Sequence, residues 1–187
     1  MSKPAARLGD LTAHGSPLSP GLGSPNVLIG GLPAWRGLSP GMVQQLMQAF
    51  QDVLKRAGEV LMAPDPISRT DRLKEMNLGV AKMVGMMASA DKHACPIVKV
   101  VVPDGSGVVI NGSPTVLING LPACRMGDTI IETTSVNTIA KGEFTVLIGG
   151  TAAGISAGAM SAMADMQQKQ KAAEAAEAQK AESESQS

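Results

Sequence analysis

Four side chains of this 187-residue chain stand out as imidazoles or thiols: His14, His93, Cys95 and Cys124. His93-Ala94-Cys95-Pro96 sets an imidazole and a thiol two residues apart. On an extended segment both would point to the same face. That spacing suits a shared metal ion better than proton transfer between a nucleophile and its base, so catalysis is not expected. With only two cysteines and no sign of an oxidising compartment, a disulfide is not expected either. Metal ligation or plain burial is the default reading of each thiol.

The elements that must position these groups come in copies. One reads Gly23-Ser24-Pro25-Asn26-Val27-Leu28-Ile29-Gly30-Gly31-Leu32-Pro33-Ala34-Trp35-Arg36. A second reads Gly112-Ser113-Pro114-Thr115-Val116-Leu117-Ile118-Asn119-Gly120-Leu121-Pro122-Ala123-Cys124-Arg125. A third, shorter copy runs from Gly142 through Val146-Leu147-Ile148-Gly149-Gly150 to Ala153. Each is a β-branched run ending in Gly-Gly or Asn-Gly, followed by a second short segment, which predicts a hairpin with a left-handed turn. Arg7-Leu8-Gly9-Asp10 and Arg125-Met126-Gly127-Asp128 form a further repeated element. Three like hairpins predict pseudo-threefold packing around one small core.

Between the first two copies the pattern becomes helical. Ser39-Pro40 is a helix start, and Val43, Leu46, Met47, Phe50, Val53, Ala57 and Val60 recur at three- and four-residue steps. Pro64 and Pro66 break this helix, and Ser68 with Asp71 offers the start of a second. That one carries Leu73, Met76, Val80, Met83, Val84 and Met87 on one face. A helical hairpin over 39–91 is expected. From about residue 154 the chain reads as a C-terminal helix and a polar tail.

Composition excludes several functions. Sixteen basic side chains balance sixteen acidic ones, so there is no electrostatic footprint for nucleic acid. One Trp, two Phe and no Tyr leave little with which to line a ligand pocket. Met1-Ser2-Lys3-Pro4 lacks the apolar run of a secretory signal. No stretch offers the roughly 20 strongly apolar residues that span a bilayer. The expectation is a cytoplasmic chain that leaves, if it leaves, by a machine that does not read signal peptides.

Pro4-Ala5-Ala6-Arg7, Leu8-Gly9-Asp10, Thr12-Ala13-His14-Gly15 and the repeat over 112–128 together resemble the PAAR-repeat (proline-alanine-alanine-arginine) family. The resemblance covers 4–38 and about 92–153. It implies a mainly β fold with an α insertion: a small conical β structure in two parts, 4–38 and 92–153, interrupted by the helical 39–91 and followed by 154–187. It also implies a non-enzymatic spike tip that caps the trimeric valine-glycine-repeat spike of a type VI secretion system, punctures a target envelope and carries effectors. Such a protein is a monomer alone and stays cytoplasmic until fired. The resemblance further implies a structural zinc ion at the apex, with His14, His93 and Cys95 as ligands. The family's fourth ligand is a histidine in a stretch that here reads Pro103-Asp104-Gly105-Ser106-Gly107, so Asp104 takes that place. Cys124 and Glu132 are the substitutes; Glu132 follows Asp128 by four residues, as His14 follows Asp10. The Met-rich insert is the candidate surface for an effector or adaptor.

Overall fold

The computed structural model describes residues 2–98 and 103–150, with the backbone alone for Val98, Pro103 and Asp104. The expected C-terminal helix and tail lie outside the described residues. The chain forms strands β1 (Lys3–Ala5), β2 (Leu28–Ile29) and β3 (Leu32–Pro33), then helices α1 (Pro40–Leu61) and α2 (Pro66–Met86). It continues with β4 (His93–Val98), β5 (Pro103–Val109), β6 (Leu117–Ile118) and β7 (Leu121–Pro122), then β8 (Thr129–Glu132), β9 (Val136–Thr138) and β10 (Glu143–Ile148). This is a β-rich fold with one helical part. Strands β4-β5-β8-β9 make an antiparallel sheet, and β2-β3, β6-β7 and β1-β10 make three antiparallel pairs. Two of the three expected hairpins form, whereas the third copy supplies only β10, which pairs with β1 from the other end of the chain.

The three pairs lead into three Pro-Ala-x-Arg segments, and these segments hydrogen-bond in a closed cycle. Ala6 N–H donates to Cys124 O, Cys124 N–H to Trp35 O, and Trp35 N–H to Ala6 O, at 2.9–3.0 Å. A second cycle runs alongside: Leu8 N–H to Pro33 O, Gly37 N–H to Pro122 O and Met126 N–H to Pro4 O, each 2.8 Å. Every one of these buried backbone groups is therefore satisfied without a free strand edge. Side chains follow the same order. Ala5, Ala34 and Ala123 meet Ile29, Ile118 and Ile148 in one apolar cluster. Ala6, Trp35 and Cys124 meet Leu18, Val109, Ile130 and Ile139 in another. The single tryptophan thus fills the middle of a core that two small neighbours leave open.

Each Arg closes a turn onto an Asp. Arg7 and Arg125 donate their backbone N–H to Asp10 and Asp128, three residues on, at 2.9 Å. Arg125 and Asp128 are fully buried and also pair through the guanidinium, at 3.1 and 3.0 Å. Removing one partner of such a pair typically costs about 3–5 kcal/mol. Arg36 makes the same clamp on Asp91, with its N–H, Nε and Nη2 all at 2.9 Å from the carboxylate. Asp91 N–H returns to Arg36 O at 3.2 Å, matching Asp10 to Arg7 at 3.1 Å and Asp128 to Arg125 at 3.0 Å. Residues 38–90 thus occupy the place held elsewhere by the single glycines Gly9 and Gly127.

Helix α1 begins with Pro40 in its first turn, but Ser39 makes no side-chain cap. Its buried stripe is Val43, Leu46, Met47, Ala49, Phe50, Val53, Ala57 and Val60. Helix α2 starts earlier than Ser68, because Asp65 caps it. The Asp65 carboxylate accepts from Ile67 N–H and Ser68 N–H at 3.0 and 2.9 Å, and Pro66 opens the helix. Only Met76 and Met83 of α2 are buried, a narrower face than the sequence pattern implies. Among the described residues no helix is long and apolar enough to cross a membrane.

A variant in which one glycine replaces residues 38–90 is expected to keep the β body. Circular dichroism should show loss of helix, with a single cooperative thermal transition retained. A product without that transition would mean the β body needs the helices.

Candidate metal centre

The sheet register sets the first part of the site. His93 on β4 lies opposite Gly107 on β5, and Gly107 lies opposite Glu132 on β8. Directly opposed residues share a face, so the imidazole and the carboxylate meet above the glycine. A Cβ on Gly107 would lie 2.7 Å from His93 Nε2 and 2.9 Å from Glu132 Cγ, so no other residue fits there without displacing them. Cys95, two residues along β4, falls on the same face as His93. His14 enters from a turn tied by Thr12 N–H to Ser16 O and Gly15 N–H to Thr12 O, both 2.9 Å. Isolated bridges from Thr12 to Ile139 and from Pro20 to His93 carry this segment across from the end of β9 to β4.

These elements bring His14, Cys95 and Glu132 together, with one ligand atom of each within 4.8 Å of the others. His14 Nδ1 is 3.1 Å from Glu132 Oε2 and 3.8 Å from Cys95 Sγ. Two ligands bound at about 2.0–2.3 Å in a tetrahedral shell stand roughly 3.3–3.8 Å apart, so these gaps are of the size one ion bridges. His93 Nε2 lies 3.0 Å from Glu132 Oε1. Yet it is not aligned for a hydrogen bond, and among the described residues neither of its buried ring nitrogens has a hydrogen-bond partner. A buried imidazole in that state is costly unless something binds it. Cys95 Sγ also receives Ser16 Oγ at 3.7 Å.

Glu132 is fully buried, and burial alone would raise its pKa. The close approach of the His93 ring, hydrogen bonds from Ser135 Oγ and Asn137 Nδ2, and the nearby His14 ring outweigh that and hold it at about 2. The carboxylate is thus ionised, as a ligand must be. A buried anion, a thiol and two imidazoles make a donor set that fits a divalent cation of borderline softness.

Of the residues singled out in the sequence, His14, His93 and Cys95 sit at this site, and Glu132 joins them. Asp104 lies on β5 beside Gly105, which opposes Cys95, and its side chain is outside the described residues. Cys124 packs in the apolar cluster with Ala6, Leu18 and Trp35, and burial pushes its thiol well up. Sequence reasoning missed Ser135 and Asn137. It matched Glu132 with His14, each four residues after a clamp aspartate, but missed that Cys95 holds the same place after Asp91 in a third copy.

Comparison with protein families matches the PAAR motif over residues 80–131 and again over 101–159. No curated protein and no solved structure matches the chain.

Two substitutions test the centre from opposite directions. Glu132→Ala removes a donor, whereas Gly107→Ala keeps every donor and crowds His93 and Glu132. Both are expected to lower bound metal from about one ion per chain to a small fraction of that, by elemental analysis after dialysis. Full metal content in both variants would place the ion elsewhere.

Proposed function

We propose, given that this chain is a PAAR-repeat protein of the type VI spike-tip family, that it caps the trimeric valine-glycine-repeat spike as a non-enzymatic, metal-stiffened point. The observation that carries the reading is a threefold pattern of exposed leucines. Leu28, Leu117 and Leu147, one from each copy, are 61%, 59% and 61% exposed. Val116, Val146 and Phe144, from two of the same copies, are exposed as well, at 37%, 36% and 69%. Apolar side chains repeated in this way suit a partner of the same symmetry. A trimer presents three like surfaces to them.

The cyclic hydrogen bonding of the three Pro-Ala-x-Arg segments supports a pseudo-threefold cone. In two copies the chain runs from an exposed leucine, Leu28 or Leu117, through the ring to a clamp aspartate and then to a candidate ligand; in the third, Leu147 on β10 is joined to Pro4, Asp10 and His14 only by the pairing of β10 with β1. The leucines form the base and the ligands the apex. At a narrow apex there is too little volume for an apolar core, and a structural ion substitutes for one. We assign zinc to His14, His93, Cys95 and Glu132, with Asp104 as the alternative oxygen donor. When bound, zinc supplies cross-linking and no turnover. The protein's own part is to bury the donors and hold the carboxylate ionised.

A second reading joins the first. The insert leaves and re-enters the β body at one clamped turn, and it exposes Met62, Ile67 and Leu78. Cargo or an adaptor docked there leaves base and apex untouched. The tip itself is a monomer, cytoplasmic until fired into a target cell.

Capture from the source bacterium with the tagged chain is expected to recover the spike trimer. Leu28→Asp, Leu117→Asp and Leu147→Asp should each weaken recovery about tenfold or more and the triple variant should abolish it, with the thermal transition unchanged. Replacing residues 38–90 should spare the trimer and lose the cargo. A folded, metal-loaded chain that recovers no spike protein would refute the tip role.

A further inference from the structure

The hydrogen bonds around Glu132 point beyond the ligand set to a residue that arranges it. Each carboxylate oxygen is held by one neutral donor from its own hairpin. Ser135 Oγ donates to Oε2 at 2.6 Å, and Asn137 Nδ2 donates to Oε1 at 2.7 Å. The same two oxygens lie close to the histidines, with His14 Nδ1 3.1 Å from Oε2 and His93 Nε2 3.0 Å from Oε1.

Asn137 does more than Ser135. Its Oδ1 accepts His14 N–H at 3.2 Å and Thr138 N–H at 2.8 Å. Two backbone donors converging on one atom settle which end of the amide is oxygen, leaving the NH2 group for the carboxylate. The side chain is buried. One amide therefore joins a ligand on β8 to the backbone of the turn that carries another ligand. Those two ligands belong to different copies, 118 residues apart in sequence. The turn is already held by its own backbone bonds and by Ala13 N–H to Thr138 O at 2.8 Å; what Asn137 adds is a direct link from His14 N–H to the ligand carboxylate, which leaves less ordering for the ion to supply.

We propose that Asn137 is a positioning residue that holds the Glu132 carboxylate and the His14 turn in ligand geometry before the metal arrives. This rests on the reading of His14, His93, Cys95 and Glu132 as the metal centre. Partners that orient metal ligands commonly contribute 10- to 100-fold in affinity.

The test uses the full chain, with Zn2+ affinity measured by chelator competition and with the absorption spectrum of the Co2+-loaded protein. Asn137→Ala is expected to weaken Zn2+ binding by about 10- to 100-fold and to shift the Co2+ bands. Asn137→Asp keeps the size of the side chain and its acceptor for both backbone N–H groups but loses the donor. Its Co2+ bands should shift too, which covers the case in which the alanine variant does not fold. Unchanged affinity in Asn137→Ala, or unchanged bands in Asn137→Asp, alongside loss of binding in Glu132→Ala, would overturn the positioning role and leave the metal centre standing. A wild-type chain that binds neither ion would overturn both.

Discussion

The closed cycle of backbone hydrogen bonds among Ala6, Trp35 and Cys124 is the constraint from which the rest of the structure follows. Three segments of one chain each donate to one neighbour and accept from the other. Such a cycle has no terminal member, so no segment can shift register without breaking bonds on both sides. It fixes where the three isoleucines of the copies meet and where the three clamp aspartates emerge. Both the apolar surface and the ligand positions inherit their spacing from it.

Around that ring the balance of forces changes along the chain. Near the paired strands, burial of Ile29, Ile118 and Ile148 is the ordinary apolar kind. Towards the ligands the buried residues turn polar: Glu132, Thr133, Thr134, Ser135 and Asn137 lie inside with His93. Hydrophobic burial cannot stabilise such a region, and each polar group needs a partner. Glu132 meets this need through Ser135, Asn137 and His14. His93 does not meet it among the described residues, which makes it the strongest argument for a bound cation.

Much of this was legible because the copies are spelled almost alike. Val-Leu-Ile followed by Gly-Gly or Asn-Gly announces the hairpins β2-β3 and β6-β7, but the same signal in the third copy makes none, because β10 finds its partner in β1 at the other end of the chain. The equivalence of Cys95 with His14 and Glu132 was hidden for a physical reason. Arg-x-Gly-Asp is readable as a string at 7–10 and 125–128, but between Arg36 and Asp91 the turn is made across an inserted pair of helices. Only the hydrogen bonds reveal the match. Ser135 and Asn137 were hidden because their role depends on the pairing of β8 with β9, which brings residues three and five positions on back to Glu132. The start of α2 was misjudged because Pro66 was taken only as a breaker, whereas a proline after a capping aspartate is also a favoured first turn.

The turn that receives the insert has two counterparts. Gly9 and Gly127 have φ of +84° and +79°. A side chain built at Gly9 would meet nothing within 4 Å, and one at Gly127 only the flexible end of Lys3. The arginine clamps would close behind an excursion there as Arg36 and Asp91 already do. The ring thus has three turns of one kind, and the helices at one of them show that the chain can lengthen there without redrawing it.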